Sequence, residues 1–472
     1  MYEIIYCGLK KAAVKLEGKM KIVVAGIGKL GEYLAKLLVK ENNEVTVIDL
    51  NFAGKEELIN NEDVNYIEAN ALDSENLIEA GVQNADLLIS AMDEDSKNIV
   101  CALLAKKIGA KNTIARIRGT EYSNSINYIS ESLGLSMSIN PDNLTAMQIL
   151  QTLSIPNAIE ATSFLKGRMD VISIKIKEDN KLKDLTVEEI SNSVKNQIII
   201  CAIEREDNVI IPNGTTKVLI GDKLHVTGKR EDVNKFLKVA GLVNTKTKNV
   251  IIIGGSKIAE YLAKSLTKMD MNVKIIEMDE KKAKELSEKL DNVLVINADA
   301  TDQNVLFEEG LEECDAIVSL TSIDEENIVL SMFASSVGVK KIITKVNHIN
   351  LDGVSKKANI DSVIAPHKIA ANQVVKYVRA MENSKSSQCE AIYTFGEGVF
   401  EIIEFKVKEN FKCIDMYLKD IAFKNDILVG AIQRGKNIIY PNGNDKIKLN
   451  DKILIISKCR EKVIKELNDV VK

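Results

Sequence analysis

Residues 250–264 restate residues 22–36. Val250-Ile-Ile-Ile-Gly254-Gly-Ser-Lys-Ile-Ala-Glu-Tyr-Leu-Ala-Lys264 lies on Ile22-Val-Val-Ala-Gly26-Ile-Gly-Lys-Leu-Gly-Glu-Tyr-Leu-Ala-Lys36, displaced by 228 positions. Glu277 falls on Asp49 at the same displacement, and at 229 Asp299-Ala-Thr-Asp302 falls on Asn70-Ala-Leu-Asp73 and Asn327 on Asn98. Ile343-Thr-Lys345-Val meets Ile114-Ala-Arg116-Ile, and Pro441-Asn-Gly443 meets Pro212-Asn-Gly214. A displacement this steady over nearly the whole chain is a tandem duplication, so any fold assigned to one half must serve for the other.

In the first copy the decisive stretch reads strand, phosphate loop, helix. Lys21-Ile-Val-Val-Ala is apolar and β-branched, breaks into Gly26-x-Gly28-x-x-Gly31, and opens an amphipathic helix toward Lys40. A second β-branched run over 44–48 ends in Asp49, 23 positions after Gly26. That is a dinucleotide-binding fingerprint. Gly26 permits the tight turn, Gly28 lets backbone approach a pyrophosphate, Gly31 lets helix and strand pack closely, and the terminal carboxylate takes ribose hydroxyls. The same carboxylate would meet a 2′-phosphate as a like charge, which argues against that ligand.

Past Asp49 the pattern alternates. We expect a helix over 54–61, a strand at 64–68, a helix at 75–80, a strand at 85–91, a helix at 96–108, a strand at 113–117, then a further helix and a short apolar run at 135–139. Near-continuous apolar strands alternating with helices predict a parallel sheet covered on both faces. Pro141 starts a helix to about Leu153, at a position where its missing N–H costs nothing, and Pro156 closes that region. From about Gly167 the chain changes to strands at 171–176, 197–203, 208–211 and 223–227, with helices near 185–190 and 231–239, a small α+β unit. The polar span 244–248 reads as a linker, and residues 1–19 match neither copy and read as an extension. The fold class is α/β: a duplicated Rossmann-type domain, each copy followed by a small α+β lobe.

Composition narrows the partners. A formal net charge of −5 gives no overall attraction for nucleic acid. Seven scattered cysteines, never spaced Cys-x-x-Cys, indicate neither a disulfide framework nor a zinc site. No apolar run approaches the ~20 residues needed to cross a bilayer. His225, His348 and His367 stand apart and read as structural, so no metal or catalytic role is assigned.

The Ile-Ala-Arg116 segment, the Pro-initiated crossover helix and the Pro-Asn-Gly turn before Gly221-Asp-Lys-Leu make the chain resemble the RCK (KTN) regulators of potassium conductance, and among them the duplicated cytosolic regulators of Trk potassium uptake. The resemblance covers roughly 20–472. It implies Rossmann domains over 20–140 and 249–365, crossover helices over 141–157 and 366–385, and small lobes over 158–243 and 386–472. It also implies a non-enzymatic ring of two or four copies, peripheral to the cytoplasmic face of the membrane, that binds NAD or NADH, or ATP or ADP, and gates a potassium-translocating membrane subunit. Carried over by position, the first site would use Gly26, Ile27, Gly28, Lys29, Leu30, Gly31, Asp49, Met92, Asp93 and Arg116. The second would use Gly254, Gly255, Ser256, Lys257, Ile258, Glu277, Thr321 and Ser322. Ser256 and Ala259 replace the second and third glycines, and Lys345 replaces Arg116 with a point charge for a planar fork, so the first site is expected to be the stronger. Whether the second is occupied stays open.

Two other readings compete. An NAD-dependent dehydrogenase would need a proton donor over the nicotinamide and a substrate domain, and each Rossmann unit here is followed by a small β-rich lobe alone. An RCK regulator of a different potassium channel or exporter would look nearly the same.

Overall fold

Four buried residues in a row make Lys21–Ala25 (β1) an interior strand. The computed structural model describes residues 19–55, 63–119, 130, 134–155, 160–164, 169–195, 198–206, 208–242, 247–348, 360, 362–386, 389–395, 400–458, 464 and 466–472. Helix α1 (Lys29–Lys40) follows β1, and then β2 (Glu44–Asp49), β3 (Val64–Glu68), α2 (Ser74–Glu79), β4 (Leu87–Ser90), α3 (Asp95–Ile108), β5 (Asn112–Arg116) and β6 (Met137–Ile139). The sheet order is β3-β2-β1-β4-β5-β6, every pairing parallel. The order reverses between β1 and β4. In a doubly wound sheet that switch point opens the ligand crevice at the strands' carboxyl ends. Most of the helix expected over 54–61, the one after 117 and the extension lie outside the described residues.

Crossover helix α4 (Pro141–Ser154) leads to β7 (Glu160–Phe164), β8 (Met169–Lys175), α5 (Val187–Ser193), β9 (Ile198–Arg205), β10 (Asn208–Ile210), β11 (Lys223–Gly228) and α6 (Arg230–Val239). The strands form an antiparallel sheet ordered β10-β9-β11-β8-β7. Strand β7 has no counterpart in the sequence reading, for a physical reason: an edge strand is paired on one side only, and Glu-Ala-Thr-Ser-Phe lacks the apolar alternation that marks a half-buried strand.

The second half repeats this order. It runs β12 (Asn249–Ile253), α7 (Lys257–Thr267), β13 (Asn272–Glu277), α8 (Glu280–Lys289), β14 (Val293–Asn297), α9 (Gln303–Glu308), β15 (Ala316–Ser319), α10 (Asp324–Val337), β16 (Lys341–Lys345) and β17 (Ser362–Ile364). Its sheet is parallel and ordered β14-β13-β12-β15-β16-β17. Crossover helix α11 (Pro366–Ser386) then precedes β18 (Cys389–Phe395), β19 (Phe400–Lys406), β20 (Ile427–Arg434), β21 (Asn437–Ile439) and β22 (Lys452–Lys458), ordered β18-β19-β22-β20-β21.

Two units result, one built from the chain up to Asn140 with Gln373–Val378, the other from Pro141–Asn372 with Arg379–Lys472. Within the second unit, α4 lays Ala146, Ile149 and Leu153 against Ile258, Leu262 and Leu266 of α7. Helix α4 meets β7 of its own small lobe and packs on the second Rossmann domain, whose apolar α7 face it covers, and full burial of each Ile or Leu contributes about 1.5–3 kcal/mol. The C-terminal carbonyls of α4 are satisfied by that same domain. Lys341 Nζ donates to the carbonyls of Thr152 and, at 2.5 Å, of Ile155, and Thr247 Oγ1 donates to that of Leu153 at 3.1 Å. Burial pushes the Lys341 ammonium down to about 7.

The small lobes share one internal brace. Arg205 grips Asp222 through two bonds of 2.8 and 2.9 Å and donates to the Lys217 carbonyl at 2.8 Å, and Arg434 does the same with Asp451 and Lys446. Their sheets also meet: Val171, Cys201 and Ala202 of the first lobe pack with Phe400, Ile402 and Ala431 of the second. At this seam His225 bonds Ser173 Oγ (2.8 Å) and Glu204 Oε1 (2.7 Å), with its ring edge against Phe400.

Candidate nucleotide sites

The first site forms where β1 turns into α1. Gly26 has φ +91°, donates its N–H to the Ile48 carbonyl at 2.9 Å, and a Cβ on it would lie 2.8 Å from the Met92 nitrogen. A Cβ on Gly31 would stand 1.9 Å from the Gly26 carbonyl oxygen. Both glycines are therefore demanded by the fold. Gly28 is not: its φ is −60° and nothing lies within 4 Å of a Cβ placed there. Its missing side chain leaves clear space before α1, whose first turn carries no side-chain cap, the kind of helix start at which backbone N–H groups can take an anion.

Asp49 ends β2 beside this loop. Oδ2 accepts the Ile27 N–H at 2.7 Å and Oδ1 accepts the Asn51 N–H at 3.1 Å, which leaves one lone-pair position on each oxygen. No described cation pairs with it. Across the switch point the loop after β4 is fixed by Asn98 of α3. Its Oδ1 accepts from Ser90 Oγ and the Met92 N–H (both 2.8 Å), and its Nδ2 donates to the carbonyls of Met92 (3.0 Å) and Arg116 (2.9 Å). Arg116 ends β5 with Nη1 on the Met92 carbonyl at 2.6 Å. Asp93 is exposed beside Lys97, Lys29 is exposed, and Ile27 and Leu30 are buried in the core. An uncapped helix, an unobstructed glycine and a carboxylate with a vacant acceptor on each oxygen fit the pyrophosphate and ribose of NAD or the phosphates of an adenine nucleotide.

The second site keeps the backbone and alters the chemistry. Gly254 retains φ +87°. Ser256 caps its own helix, its Oγ accepting the Ala259 N–H at 3.3 Å, so one donor that the first site leaves open is already used. Gly255 stands where the first copy has Ile27, and a Cβ on it would lie 2.3 Å from Leu286 Cδ1, because that α8 side chain fills the space. Glu277 Oε2 accepts the Gly255 N–H at 2.6 Å and lies 3.0 Å from Lys282 Nζ, while Oε1 accepts the Asp279 N–H at 3.0 Å. Burial works to raise the Glu277 carboxyl, but these backbone donors and the lysine outweigh it and hold it below its usual range. Asn327 repeats the Asn98 bridge onto Thr321 and Lys345, and Lys345 Nζ reaches the Leu320 carbonyl at 3.4 Å. Lys257 and Ser322 are exposed and Ile258 is buried.

Models of known families match both Rossmann domains and most of both small lobes. The TrkA-N domain matches residues 22–141 and 250–366, and the TrkA-C domain matches 171–241 and 402–459. The chain belongs to the TrkA family. Its TrkA-family relatives include the "Trk system potassium uptake protein TrkA homolog" of Archaeoglobus fulgidus, 30% identical over 442 residues that cover 94% of this chain and 98% of the relative. The "Trk system potassium uptake protein TrkA" of Haemophilus influenzae is 28% identical over 443 residues, covering 92% of this chain and 95% of the relative. Among solved structures, the "GsuK channel bound to NAD" superposes with a TM-score of 0.62 at 14% identity, over 95% of this chain and 78% of that one. The "GsuK RCK domain" gives 0.62 at 15% identity, over 95% and 94%. At these identities the likeness is one of fold.

For a TrkA-family chain the sequence located the loop and the two strand-end acids and overlooked what braces them. Asn98 and Asp95 carry the far wall of the crevice, Asp95 accepting the N–H groups of Arg118 and Gly119 at 2.7–3.0 Å. Asp324 does likewise for Asn347 and His348 and also bonds His348 Nδ1 at 2.7 Å. The signal was available in the repeat itself, which sets Asn327 on Asn98 and Asp324 on Asp95 at one displacement.

Proposed function

We propose that this chain is a cytosolic regulatory subunit that binds NAD or NADH, or ATP or ADP, and gates a separate Trk-type potassium-translocating membrane protein. The observation that carries the reading is the open phosphate loop beside Asp49 in a chain that aligns with a Trk uptake protein over 94% of its length at 30% identity. Among the described residues no helix is long and apolar enough to cross a membrane, which agrees with translocation by a different polypeptide. Gly26, Ile27, Gly28, Lys29, Leu30 and Gly31 would hold the phosphates, Asp49 the ribose hydroxyls, and Met92, Asp93 and Arg116 the crevice's far side. A bound nucleotide supplies charge and contacts, not chemistry, and the chain turns over no substrate.

Regulation requires that the nucleotide bind two arrangements with different affinity, and 1–3 kcal/mol of difference gives a roughly 5- to 150-fold shift. Assembly as a ring of two or four copies at the inner membrane face would sum such shifts over several sites. The test reconstitutes the Trk-type membrane protein in liposomes and follows potassium flux with and without this chain and each nucleotide. Nucleotide-dependent flux is expected. Flux indifferent to the chain, together with nicotinamide turnover on a small metabolite, would replace this reading with that of a dehydrogenase.

A further inference from the structure

We infer that the second nucleotide domain accepts a 2′-phosphorylated nucleotide of the NADPH type, which the first rejects, and that Lys282 sets the difference. The inference rests on the nucleotide reading above and concerns what the second site selects.

The two strand-end carboxylates differ in what they still offer. Asp49 carries two backbone bonds, one to each oxygen, and keeps an acceptor position on each for the two hydroxyls of an unmodified ribose. Glu277 has three partners. Oε2 holds both the Gly255 N–H and Lys282, Oε1 holds the Asp279 N–H, and one acceptor position is left for a diol that needs two. The second site is therefore a poorer match to a plain ribose.

The charge balance runs the other way. A phosphate on the 2′ oxygen would meet the uncompensated anion of Asp49 in the first domain. At the second, the carboxylate already carries an ammonium 3.0 Å away, so the local charge is balanced before a ligand arrives. Lys282 has three donors, gives one to Glu277, and its side chain is 47% exposed, so it can turn onto an incoming phosphate. A basic side chain next to the strand-end acid is how this fold takes a 2′-phosphate.

The repeat shows that the lysine is turned to the ribose-site acid in one copy and not in the other. In the first domain the lysine of the matching stretch, Lys55, bonds Glu32 on α1. Glu32 also holds Lys36 one turn on at 3.1 Å, as its counterpart Glu260 holds Lys264 at 2.7 Å, so the copies differ in where the remaining lysine goes. Lys55 goes to the α1 glutamate, whereas the α8 lysine Lys282 goes to the ribose-site acid Glu277.

The experiment uses the full chain with Gly28→Glu, which sets a carboxylate before α1 to repel phosphate at the first site, at a position where an added Cβ meets nothing within 4 Å. Calorimetric titration with NADPH and with NADH then reads the second domain. We expect one equivalent of NADPH to bind at least as tightly as NADH. Lys282→Gln should weaken NADPH about tenfold or more, the loss of a charge-assisted hydrogen bond, while leaving NADH within about threefold, and Lys282→Arg should restore it. Unchanged far-ultraviolet circular dichroism and melting temperature establish that each variant is folded. Preference for NADH, or NADPH affinity indifferent to Lys282, overturns the inference and leaves nucleotide regulation standing. No nucleotide at the second domain also overturns it, and none at either domain of the unsubstituted chain removes the underlying reading as well.

Discussion

Lys341 makes the packing of α4 depend on pH, and the dependence has a definite sign. Its ammonium is buried at the end of α4, where it donates to the carbonyls of Thr152 and Ile155, and burial lowers its pKa from 10.5 to about 7. Between pH 7 and 10.5 the unfolded chain holds a proton that the folded chain does not, so stability rises with pH across that window. Below pH 7 both states are protonated and the full desolvation cost is present. At 1.36 kcal/mol per unit, the shift corresponds to about 5 kcal/mol across the window, an upper figure because the carbonyls at the negative end of α4 favour the charged form. Lys341→Met removes the charge and orphans two carbonyls, at a cost of about 2–4 kcal/mol. Near pH 6.5 relief of the buried charge offsets that cost and the substitution is close to neutral. Near pH 9.5 the offset is gone, and amides in the last turn of α4 should exchange about 30- to 1000-fold faster than in the unsubstituted chain. Hydrogen exchange with mass spectrometry on residues 141–154, comparing both proteins at each pH so that intrinsic rates cancel, reads this directly. A difference between the two that stays constant from pH 6.5 to 9.5 would refute the argument.

Three further outcomes follow from the first site. Gly28→Ala should leave the melting temperature unchanged while weakening nucleotide binding, because its Cβ meets nothing in the chain, whereas Gly31→Ala should lower the melting temperature, its Cβ colliding with the Gly26 carbonyl. Circular dichroism and calorimetry separate the two. Asp49→Ala should cost about 1–3 kcal/mol of affinity for NADH or ATP, the price of ribose hydroxyls left without a buried acceptor, and calorimetry showing an unchanged dissociation constant would remove Asp49 from the site. Asn98→Leu cuts four hydrogen bonds and should destabilise the first domain by about 2–4 kcal/mol, seen as faster amide exchange over residues 90–92.

How much could be read beforehand depended on range. The Gly26 loop, the strand-end acids and the parallel order follow from local pattern, since a glycine spacing and an apolar run report on their own neighbourhood. What was missed is non-local. Nothing in Pro141–Ser154 says that its apolar face meets α7, more than a hundred residues onward, and nothing local marks Lys341 as the donor for that helix's end: its counterpart by repeat position is Asn112, which bonds the Asp86 carbonyl instead. The pairing of Lys282 with Glu277 hid for the same reason, because which acid a lysine reaches depends on how α8 lies against β13, not on its neighbours in the chain. Edge strand β7 escaped because Glu-Ala-Thr-Ser-Phe carries no alternation of apolar and polar residues.

The seam between the two small lobes carries a consequence of another kind. When two separate identical chains pair across such a face, each substitution occurs on both sides of the axis and must suit itself in mirror duty. Here one polypeptide brings both faces, so each can drift alone. His225, held between Ser173 and Glu204, sits against the phenyl ring of Phe400, while the matching position of the other lobe is the apolar Leu454. One polypeptide can hold a lock and a key where two identical chains would hold two copies of one face, and a key is free to carry a cut that its lock does not.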